Sequence, residues 1–292
     1  MIVLYLILLA VLQAVTEFIP VSSFGHLCVV EQLFGIGHDT GLLIEAMLHL
    51  GTAAAIIFLF KKDLKQIGIE LLQMFLDVIG NINLFIHNKK TGEHLNYARI
   101  VTGTYRKFAA LLVISMIPTV CLGLVSSRLA VLAADSSFFP GIGFLITGVL
   151  LLVTDLNRSG GKKGPREASY DTAMWIGICQ GLAVFPGISR MAFTICAALL
   201  CGYSRKFAVR FSVFMSLPAI VGAFFAEVKY FGASEMTIGL GFASVFAMVI
   251  AGFVGCLVIR FMLQMTQKMK LRNFAYYSFA AGAVALAVNF VL

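Results

Sequence analysis

The charged residues of this chain are clustered, and the stretches between the clusters are long and apolar. A helix that crosses a bilayer needs about 20 mostly apolar residues. One stretch, 140–154, reaches that length when Phe138 and Phe139 are included, and five others meet or approach it: 43–60, 108–126, 211–228, 237–259 and 273–292. Because lipid offers the backbone no hydrogen-bond partner, such stretches fold as helices. The sequence therefore predicts an all-α polytopic membrane protein with about six transmembrane helices.

Composition excludes most other classes of protein. Only 12% of the residues are charged and 60% are hydrophobic, whereas a soluble chain carries about 25% charged residues. The mean hydropathy of +0.95 agrees. We attribute the net charge of +8 to basic cytoplasmic loops and expect no nucleic-acid partner. The six cysteines contain no Cys-x-x-Cys pair, so neither a zinc site nor a disulfide framework is expected.

Two pairs of shorter apolar stretches are interrupted by proline and glycine. The breaks fall at Pro20 and at Pro186-Gly187, and they separate 2–19 from 27–36 and 172–185 from 192–203. Interrupted helices persist at membrane depth only where they are buried in protein or line a wet cavity. The sequence therefore predicts two re-entrant helical hairpins.

The two interrupted regions resemble one another at a constant offset of 167 residues. The matches are Gln13 with Gln180, Phe18 with Phe185, Val21 with Ile188, Ser22 with Ser189, and Leu50-Gly51 with Leu217-Pro218. Self-similarity at a fixed spacing indicates an internal duplication. We therefore expect one integral membrane domain over 1–292, with a first repeat of about 1–126 and a second of about 140–292.

The basic residues predict how the chain crosses the membrane. Of the 22 lysines and arginines, 19 lie in four regions: 61–107, 157–170, 204–210 and 260–272. Basic loops favour the cytoplasmic side, which leaves Arg128 and Lys229 outside and Arg190 within the membrane. Six crossings and two re-entrant hairpins satisfy this pattern and make the repeats inverted, so a site is expected near the midplane. The 61–107 insert is partly amphipathic and is expected at the cytoplasmic surface.

The first interrupted region carries a cluster of reactive side chains. Gln13 and Glu17 are four residues apart, so they share a helix face, and an acid inside an apolar segment is a candidate functional residue. Pro20 ends that helix, and Ser22 or Ser23 would cap the next one, whose N–H groups favour an anion. His26 falls in its first turn.

The second interrupted region would add Ser189 as a helix cap and Arg190 beside it. The planar fork of arginine suits a phosphate, so the combined set favours phosphoryl transfer. Each residue has a structural alternative. The serines would only cap helices, Gln13 would only bridge helices, His26 would only be buried, and Arg190 would only pair with Glu17. Glu45, with His49 one turn on, would line the same cavity or form a helix contact.

These residues resemble the signatures of the undecaprenyl-diphosphatase family, also called bacitracin-resistance proteins. The first signature is Gln13-x-x-x-Glu17 followed by Pro20-Val-Ser22-Ser23-x-Gly25-His26, and the second is Pro186-Gly187-Ile188-Ser189-Arg190 with Thr194. The resemblance covers the whole chain apart from the 61–107 insert. Two positions depart from the family pattern: Phe24 stands where a threonine is usual, and Met191 stands where a serine is common.

The resemblance implies hydrolysis of undecaprenyl diphosphate to undecaprenyl phosphate and inorganic phosphate in the bacterial cell membrane. This reaction recycles the lipid carrier of wall synthesis and confers bacitracin resistance. The expected catalytic residues are Glu17, Ser23, His26 and Arg190. The expected substrate contacts are Gln13, Ser22, Gly25, Gly187, Ser189 and Thr194. A divalent cation, Mg²⁺ or Ca²⁺, is expected at Glu17 together with the substrate phosphates.

The residues leave several alternatives open at this stage. Ser23 would attack the terminal phosphorus with Glu17 or His26 as its base, or His26 would attack instead. The rival function is a transporter or flippase for a polyprenyl lipid, since inverted repeats with broken helices are common in carriers. A purely structural membrane subunit is a third reading. Membrane lipids are expected partners, access from the outer face is favoured, and a homodimer is left open.

Overall fold

The computed structural model describes residues 2–34, 38–134, 136–157, 161–227, 238–268 and 270–291. Over these ranges the chain folds into ten α-helices and forms no β-strand. The first five are α1 (Ile2–Phe18), α2 (Ser23–Phe34), α3 (His38–Thr91), α4 (Thr104–Ala134) and α5 (Phe138–Leu156). The second five are α6 (Tyr170–Leu182), α7 (Arg190–Leu200), α8 (Arg205–Glu227), α9 (Ile238–Met265) and α10 (Leu271–Val291).

Six of the described helices are long and apolar enough to cross a membrane: α3, α4, α5, α8, α9 and α10. This confirms the prediction of an all-α polytopic membrane protein. The helices of the interrupted regions are shorter, with 17 residues in α1, 12 in α2, 13 in α6 and 11 in α7. At 1.5 Å per residue, α2, α6 and α7 are each about 20 Å long or less, which is short of a 30 Å hydrocarbon core. That they form re-entrant hairpins stays a prediction.

Two helices extend well beyond the predicted crossings. The crossing predicted over 43–60 continues as α3 to Thr91, with a local break at Phe60, where φ is −110° and ψ is 20°. The crossing predicted over 108–126 lies within α4, which begins at Thr104 and ends at Ala134. The first part of the expected insert, 61–91, is therefore a continuation of helix α3, and its place at the cytoplasmic surface stays a prediction. Residues 61–91 contain no proline, and their polar side chains share one face, so nothing in the chain stops the helix at the membrane boundary.

The packing of the helices repeats when the first five helices are matched with the second five in chain order, so that α1 matches α6 and α5 matches α10. The predicted bounds of the repeats instead place α5 in the second repeat. Helix α1 packs on α9 as α6 packs on α4, and α7 packs on α5 as α2 packs on α10. Two matched pairs, α3 with α8 and α5 with α10, pack on each other. Inversion of the halves in the membrane stays a prediction, and Lys229 and the side chain of Arg128 lie outside the described residues.

The turns of the two interrupted regions touch through glycines. A Cβ placed on Gly25 would lie 2.6 Å from the Cα atom of Gly187, closer than real Cβ contacts. Gly187 has a φ of +83°, and a Cβ there would lie 2.1 Å from the carbonyl oxygen of Pro140. Backbone that packs against backbone at this distance requires glycine on both sides. These two glycines therefore fix how closely the interrupted regions approach each other.

We predict that Gly25→Ala destabilises the folded protein, because the added methyl group would meet the backbone of Gly187. A clash of this kind costs about 1–3 kcal/mol. Thermal unfolding in detergent measures the effect. Gly222→Ala is the matched control, since Gly222 lies in helix α8 and a Cβ there meets nothing within 4 Å. Unfolding temperatures that are equal for the two variants would contradict the contact.

Candidate active site

The carboxylate of Glu17 is the centre of the site and draws on three helices. Its side chain is only 2% exposed. One oxygen, Oε2, accepts hydrogen bonds from Gln13 Nε2 at 3.3 Å and from Ser23 Oγ at 2.6 Å. The other oxygen, Oε1, accepts a hydrogen bond from the guanidinium of Arg190, and the two charged groups form an ion pair. The structure therefore brings together four of the predicted residues, from α1, α2 and α7.

The turn between α1 and α2 decides which of the two serines faces Glu17. Ser22 has a left-handed backbone with φ of 70°, and its hydroxyl accepts a hydrogen bond from the backbone N–H of Gly25 at 3.3 Å. Ser22 is thus the cap of α2, in the role that serine commonly has at a helix start. Ser23 is the first residue of that helix, and its hydroxyl is left to bond to Glu17.

The turn between α6 and α7 is held by Ser189 and by a threonine from α5. Ser189 caps α7 by accepting a hydrogen bond from the backbone N–H of Ala192 at 3.2 Å, so Arg190 is the first helical residue. The backbone N–H of Ser189 donates to Thr147 Oγ1 at 3.0 Å, and that hydroxyl donates to the carbonyl of Gly187 at 2.9 Å. Thr147 was missed from the sequence because a single threonine in an apolar helix carries no local signal.

His26 is oriented by contacts on both ring nitrogens. Its Nδ1 bonds to the carbonyl of Ser22, which accepts, so Nδ1 carries the hydrogen. Its Nε2 lies 2.8 Å from the hydroxyl of Tyr277, whose ring stacks on the imidazole. Phe144 contacts the imidazole edge-on at a centroid distance of 4.8 Å. Tyr277, on the last helix and 251 residues away in sequence, was also missed, since nothing near it marks a site.

The other predicted substrate contacts hold the backbone in this structure. The Thr194 hydroxyl donates to the carbonyls of Arg190 and Met191 in its own helix, at 3.0 and 3.3 Å. Gly25 and Gly187 pack against each other, and Ser22 and Ser189 are helix caps. Roles for these residues in contacting substrate stay predictions, as does either role of Glu45, which is buried on α3.

At the positions matched to Glu17 and Ser23, the second repeat lacks both the carboxylate and the hydroxyl. Position 184, which the offset of 167 matches to Glu17, is a valine, and Arg190 occupies the position matched to Ser23. Gln180, the match of Gln13, donates to the backbone carbonyl of Met215 at 3.3 Å. The repeats therefore contribute different chemistry, with the carboxylate and hydroxyl from one and the guanidinium from the other.

The site has a buried floor and an accessible rim. Gln13 and Glu17 are buried, whereas Ser23, His26 and Arg190 are partly exposed and Tyr277 is about half exposed. A ligand that arrives from solvent therefore meets a hydroxyl, an imidazole and a guanidinium before it meets the acid. A phosphate group matches that order, because each of these three groups binds phosphate oxygens well.

A metal would find few protein ligands at this site. In the part of the chain that the structure describes, no group of three or more His, Cys, Asp or Glu side chains is arranged to hold one. Gln13 Oε1 is, however, buried beside Glu17 without a hydrogen-bond partner. Gln13 Oε1 and the Glu17 carboxylate are hard oxygen donors of the kind that Mg²⁺ and Ca²⁺ prefer, and Mg²⁺ commonly takes most of its remaining ligands from phosphates and water. The donor set thus fits a cation that arrives with a phosphorylated ligand.

Comparison with known proteins gives a consistent result. A family model described as bacitracin resistance protein BacA matches residues 6–284. The chain is 33% identical over 284 residues to the undecaprenyl-diphosphatase of Alkaliphilus metalliredigens, covering 96% of both chains. It is 32% identical over 290 residues to the undecaprenyl-diphosphatase of Methanosphaera stadtmanae, covering 99% of both. It is 35% identical over 288 residues to that of Desulfosudis oleivorans, covering 97% of both.

We predict that Arg190→Ala destabilises the protein by about 2 kcal/mol or more, because it leaves the Glu17 carboxylate buried and uncompensated. Glu17→Gln combined with Arg190→Gln removes both charges, so the double variant should be more stable than Arg190→Ala alone. Thermal unfolding in detergent measures both. The control is Arg272→Ala, because Arg272 is half exposed and lies 3.8 Å from Asp155, a contact worth less than about 1 kcal/mol. Equal destabilisation by Arg190→Ala and Arg272→Ala would contradict the ion pair.

Proposed function

This chain belongs to the bacitracin resistance protein BacA family, and on that basis we propose that it hydrolyses undecaprenyl diphosphate to undecaprenyl phosphate and inorganic phosphate. The observation that carries this proposal is the Glu17 carboxylate, which contacts the Ser23 hydroxyl and the Arg190 guanidinium at once. A base, a nucleophile and a phosphate-binding cation in contact are the parts that phosphoryl transfer requires. The reaction would regenerate the lipid carrier of wall synthesis and so confer bacitracin resistance.

Ser23 is the proposed nucleophile and Glu17 its base. The Ser23 hydroxyl lies 2.6 Å from Glu17 Oε2, within the range of proton transfer. As Ser23 Oγ bonds to the terminal phosphorus, its proton passes to Glu17. The bond from that phosphorus to the bridging oxygen breaks, and its electron pair leaves with undecaprenyl phosphate. Glu17 passes this proton to the departing undecaprenyl phosphate and is again a base. Water then attacks the phosphoserine while Glu17 accepts a proton from it, the bond between phosphorus and Ser23 Oγ breaks, and Ser23 takes the proton back from Glu17 as inorganic phosphate leaves.

Arg190 links arrival of the substrate to activation of the base. Without substrate its guanidinium pairs with Glu17, and this contact stabilises the ionised carboxylate and weakens it as a base. A diphosphate carries more negative charge than one carboxylate, so it would draw Arg190 toward itself. Glu17 would then lose its cationic partner while Ser23 remains bound to it. The same arginine would stabilise the charge that develops on the transferred group.

His26 is a less suitable nucleophile in this geometry. Its Nδ1 is committed to the carbonyl of Ser22, and its Nε2 is bonded to the Tyr277 hydroxyl. Attack by Nε2 would require the tyrosine to move away first. The stacked pair instead favours a role in which His26 and Tyr277 bind phosphate oxygens at the rim of the site.

A divalent cation held by Glu17 and Gln13 Oε1 would neutralise part of the charge on the diphosphate oxygens. The orphaned Gln13 oxygen supports this proposal. The protein side chains keep their own tasks: Arg190 binds, Ser23 attacks, and Glu17 holds the proton. The family signature that this chain resembles allows either glutamate or glutamine at the position of Gln13, so a chain with glutamine offers one carboxylate fewer.

We also propose that the protein resides in the plasma membrane with its site open to the outer face. The support is the distribution of basic residues, 19 of which fall in regions assigned to the cytoplasmic side. A transporter with the same architecture would need a binding site but no serine in contact with a buried carboxylate. The names of the relatives favour the phosphatase over this alternative.

We predict that Ser23→Ala and Glu17→Gln each reduce phosphate release from undecaprenyl diphosphate by about a thousandfold or more, because each removes part of one catalytic unit. Release of inorganic phosphate by the purified protein measures the effect. Ser216→Ala is the control, since the Ser216 hydroxyl bonds only to the carbonyl of Val213 in its own helix, and it should retain full activity.

Rapid acid quenching with substrate labelled on the terminal phosphorus would identify the nucleophile. A phosphoserine survives acid and a phosphohistidine does not, so acid-stable label on Ser23 is the expected result. Full activity in Ser23→Ala and Glu17→Gln would contradict the proposal that this site catalyses phosphate release. Exchange of lipid across proteoliposomes without phosphate release would favour the transporter.

We predict that chelation with EDTA abolishes phosphate release and that Mg²⁺ or Ca²⁺ restores it. Gln13→Leu removes the orphaned oxygen and should raise the cation concentration for half-maximal activity by about tenfold. Gln13→Glu supplies a second carboxylate and should lower it. Titration of activity with each cation measures both shifts. Activity that is unchanged in EDTA would contradict the role of a divalent cation but would not affect the proposed roles of Ser23 and Glu17.

A further inference from the structure

Beyond Phe60, helix α3 forms a helical arm, residues 61–91, whose polar side chains face its own return segment, residues 92–103. The Asn81 side chain exchanges hydrogen bonds with the backbone of Ala98 at 2.9 and 2.8 Å. Asn88 does the same with the backbone of Leu95 at 3.0 and 3.1 Å. The side chains of Asn81 and Asn88 are therefore partnered by the backbone of the return segment.

Two acids of the arm, Glu70 and Asp77, are paired with a single arginine at the start of α4. Arg106 donates to Glu70 at 3.0 Å and to Asp77 at 2.6 Å, and it also reaches Gln73. Glu70 and Asp77 are the only acidic residues between 66 and 88. Both carboxylates therefore lie on the face of the arm that contacts Arg106, and 66–88 has no acid on its opposite face.

The opposite face of the arm is apolar and exposed. Its central stripe follows the spacing of one helix face, i, i+3, i+7, i+10 and i+14, and its members are 40 to 62% exposed: Leu72, Phe75, Ile79, Ile82 and Ile86. At 100° per residue this stripe lies about half a turn from the polar one. An apolar patch of this length is larger than a surface facing water normally shows.

Positive charge borders the apolar face at both ends. Lysines stand at 61, 62 and 65 before it and at 89 and 90 after it, and no lysine or arginine lies between. Both ends of the hairpin join helices that are apolar enough to cross a membrane, α3 and α4. The arm and its return segment, taken together, therefore start and end beside a membrane surface. An apolar face bordered by lysines matches the boundary between acyl chains and anionic headgroups.

We propose that the arm lies on the membrane surface, with its apolar face at the boundary of the acyl chains and its lysines on anionic headgroups. The break at Phe60 gives α3 the place to turn from crossing the bilayer to lying on it. A second copy of the chain fits this face less well. Parallel or antiparallel pairing of two arms would bring lysine clusters together at each end, and like charges repel. Anionic lipid complements both clusters at once.

Tryptophan fluorescence in vesicles of brominated phospholipid tests the proposal on the full chain. Trp175 is the only tryptophan, so Trp175→Phe provides a silent background for Phe75→Trp. Two controls use the same background. They are Phe253→Trp, at an exposed position of α9, and Tyr97→Trp, at an exposed position of the return segment. We expect vesicles that contain phosphatidylglycerol to quench Phe75→Trp as strongly as Phe253→Trp, and Tyr97→Trp much less.

The lysines provide the second test. Lys89→Gln and Lys90→Gln should each weaken the bound state of the arm by about fivefold, seen as reduced quenching of Phe75→Trp. Quenching of Phe75→Trp should likewise be reduced in phosphatidylcholine vesicles that contain no anionic lipid. Phe75→Trp that is unquenched in every vesicle overturns the proposal. If Phe75→Trp is unquenched and chemical crosslinking of the purified protein yields a dimer, the apolar face would instead be a contact between two copies of the chain. The phosphatase assay in detergent is independent of either result.

Discussion

The ion pair between Glu17 and Arg190 is the interaction on which the arrangement of the site depends. Each charge lies within an apolar segment, and a charge left alone at low dielectric is costly. The two residues are 173 positions apart, so each can be neutralised only if the interrupted regions meet. Gly25 and Gly187 allow that approach because neither has a side chain at the contact. The ion pair therefore forms only when the two interrupted regions are in contact, and the glycines allow that contact.

Duplication followed by divergence would explain why the two halves predicted from the sequence form one site. The matched positions Glu17 and Val184, and Ser23 and Arg190, show that the repeats no longer carry the same groups. A symmetric pair of carboxylates would repel each other, whereas a carboxylate opposite a guanidinium attracts. The second half also keeps a glutamine, Gln180, but uses it to bridge helices through the carbonyl of Met215. The halves are thus similar in backbone and complementary in charge.

Sequence reasoning found the residues whose signal is local. Gln13 and Glu17 share a helix face, Ser22 and Ser189 precede helices, and Arg190 is an unusual charge between apolar segments; the structure places each of these as predicted. It missed Thr147 and Tyr277, which reach the site from α5 and α10. A buried threonine and an exposed tyrosine on apolar helices look like ordinary packing until a partner is known. It also ended α3 too early, because the helical arm is stabilised by contacts with its return segment and with Arg106.

The sequence by itself determined that this chain is a helical membrane protein, and it predicted a small set of candidate site residues. Both follow from local facts: long apolar stretches leave the backbone no structure but helix, and polar groups within them need a reason to be there. Only the tertiary structure decided the roles. It assigned Ser22 to capping and Ser23 to Glu17, turned His26 toward Tyr277, and set Arg190 against the acid. These choices depend on turn geometry and on distances between residues far apart in the chain, which no spacing in the sequence records.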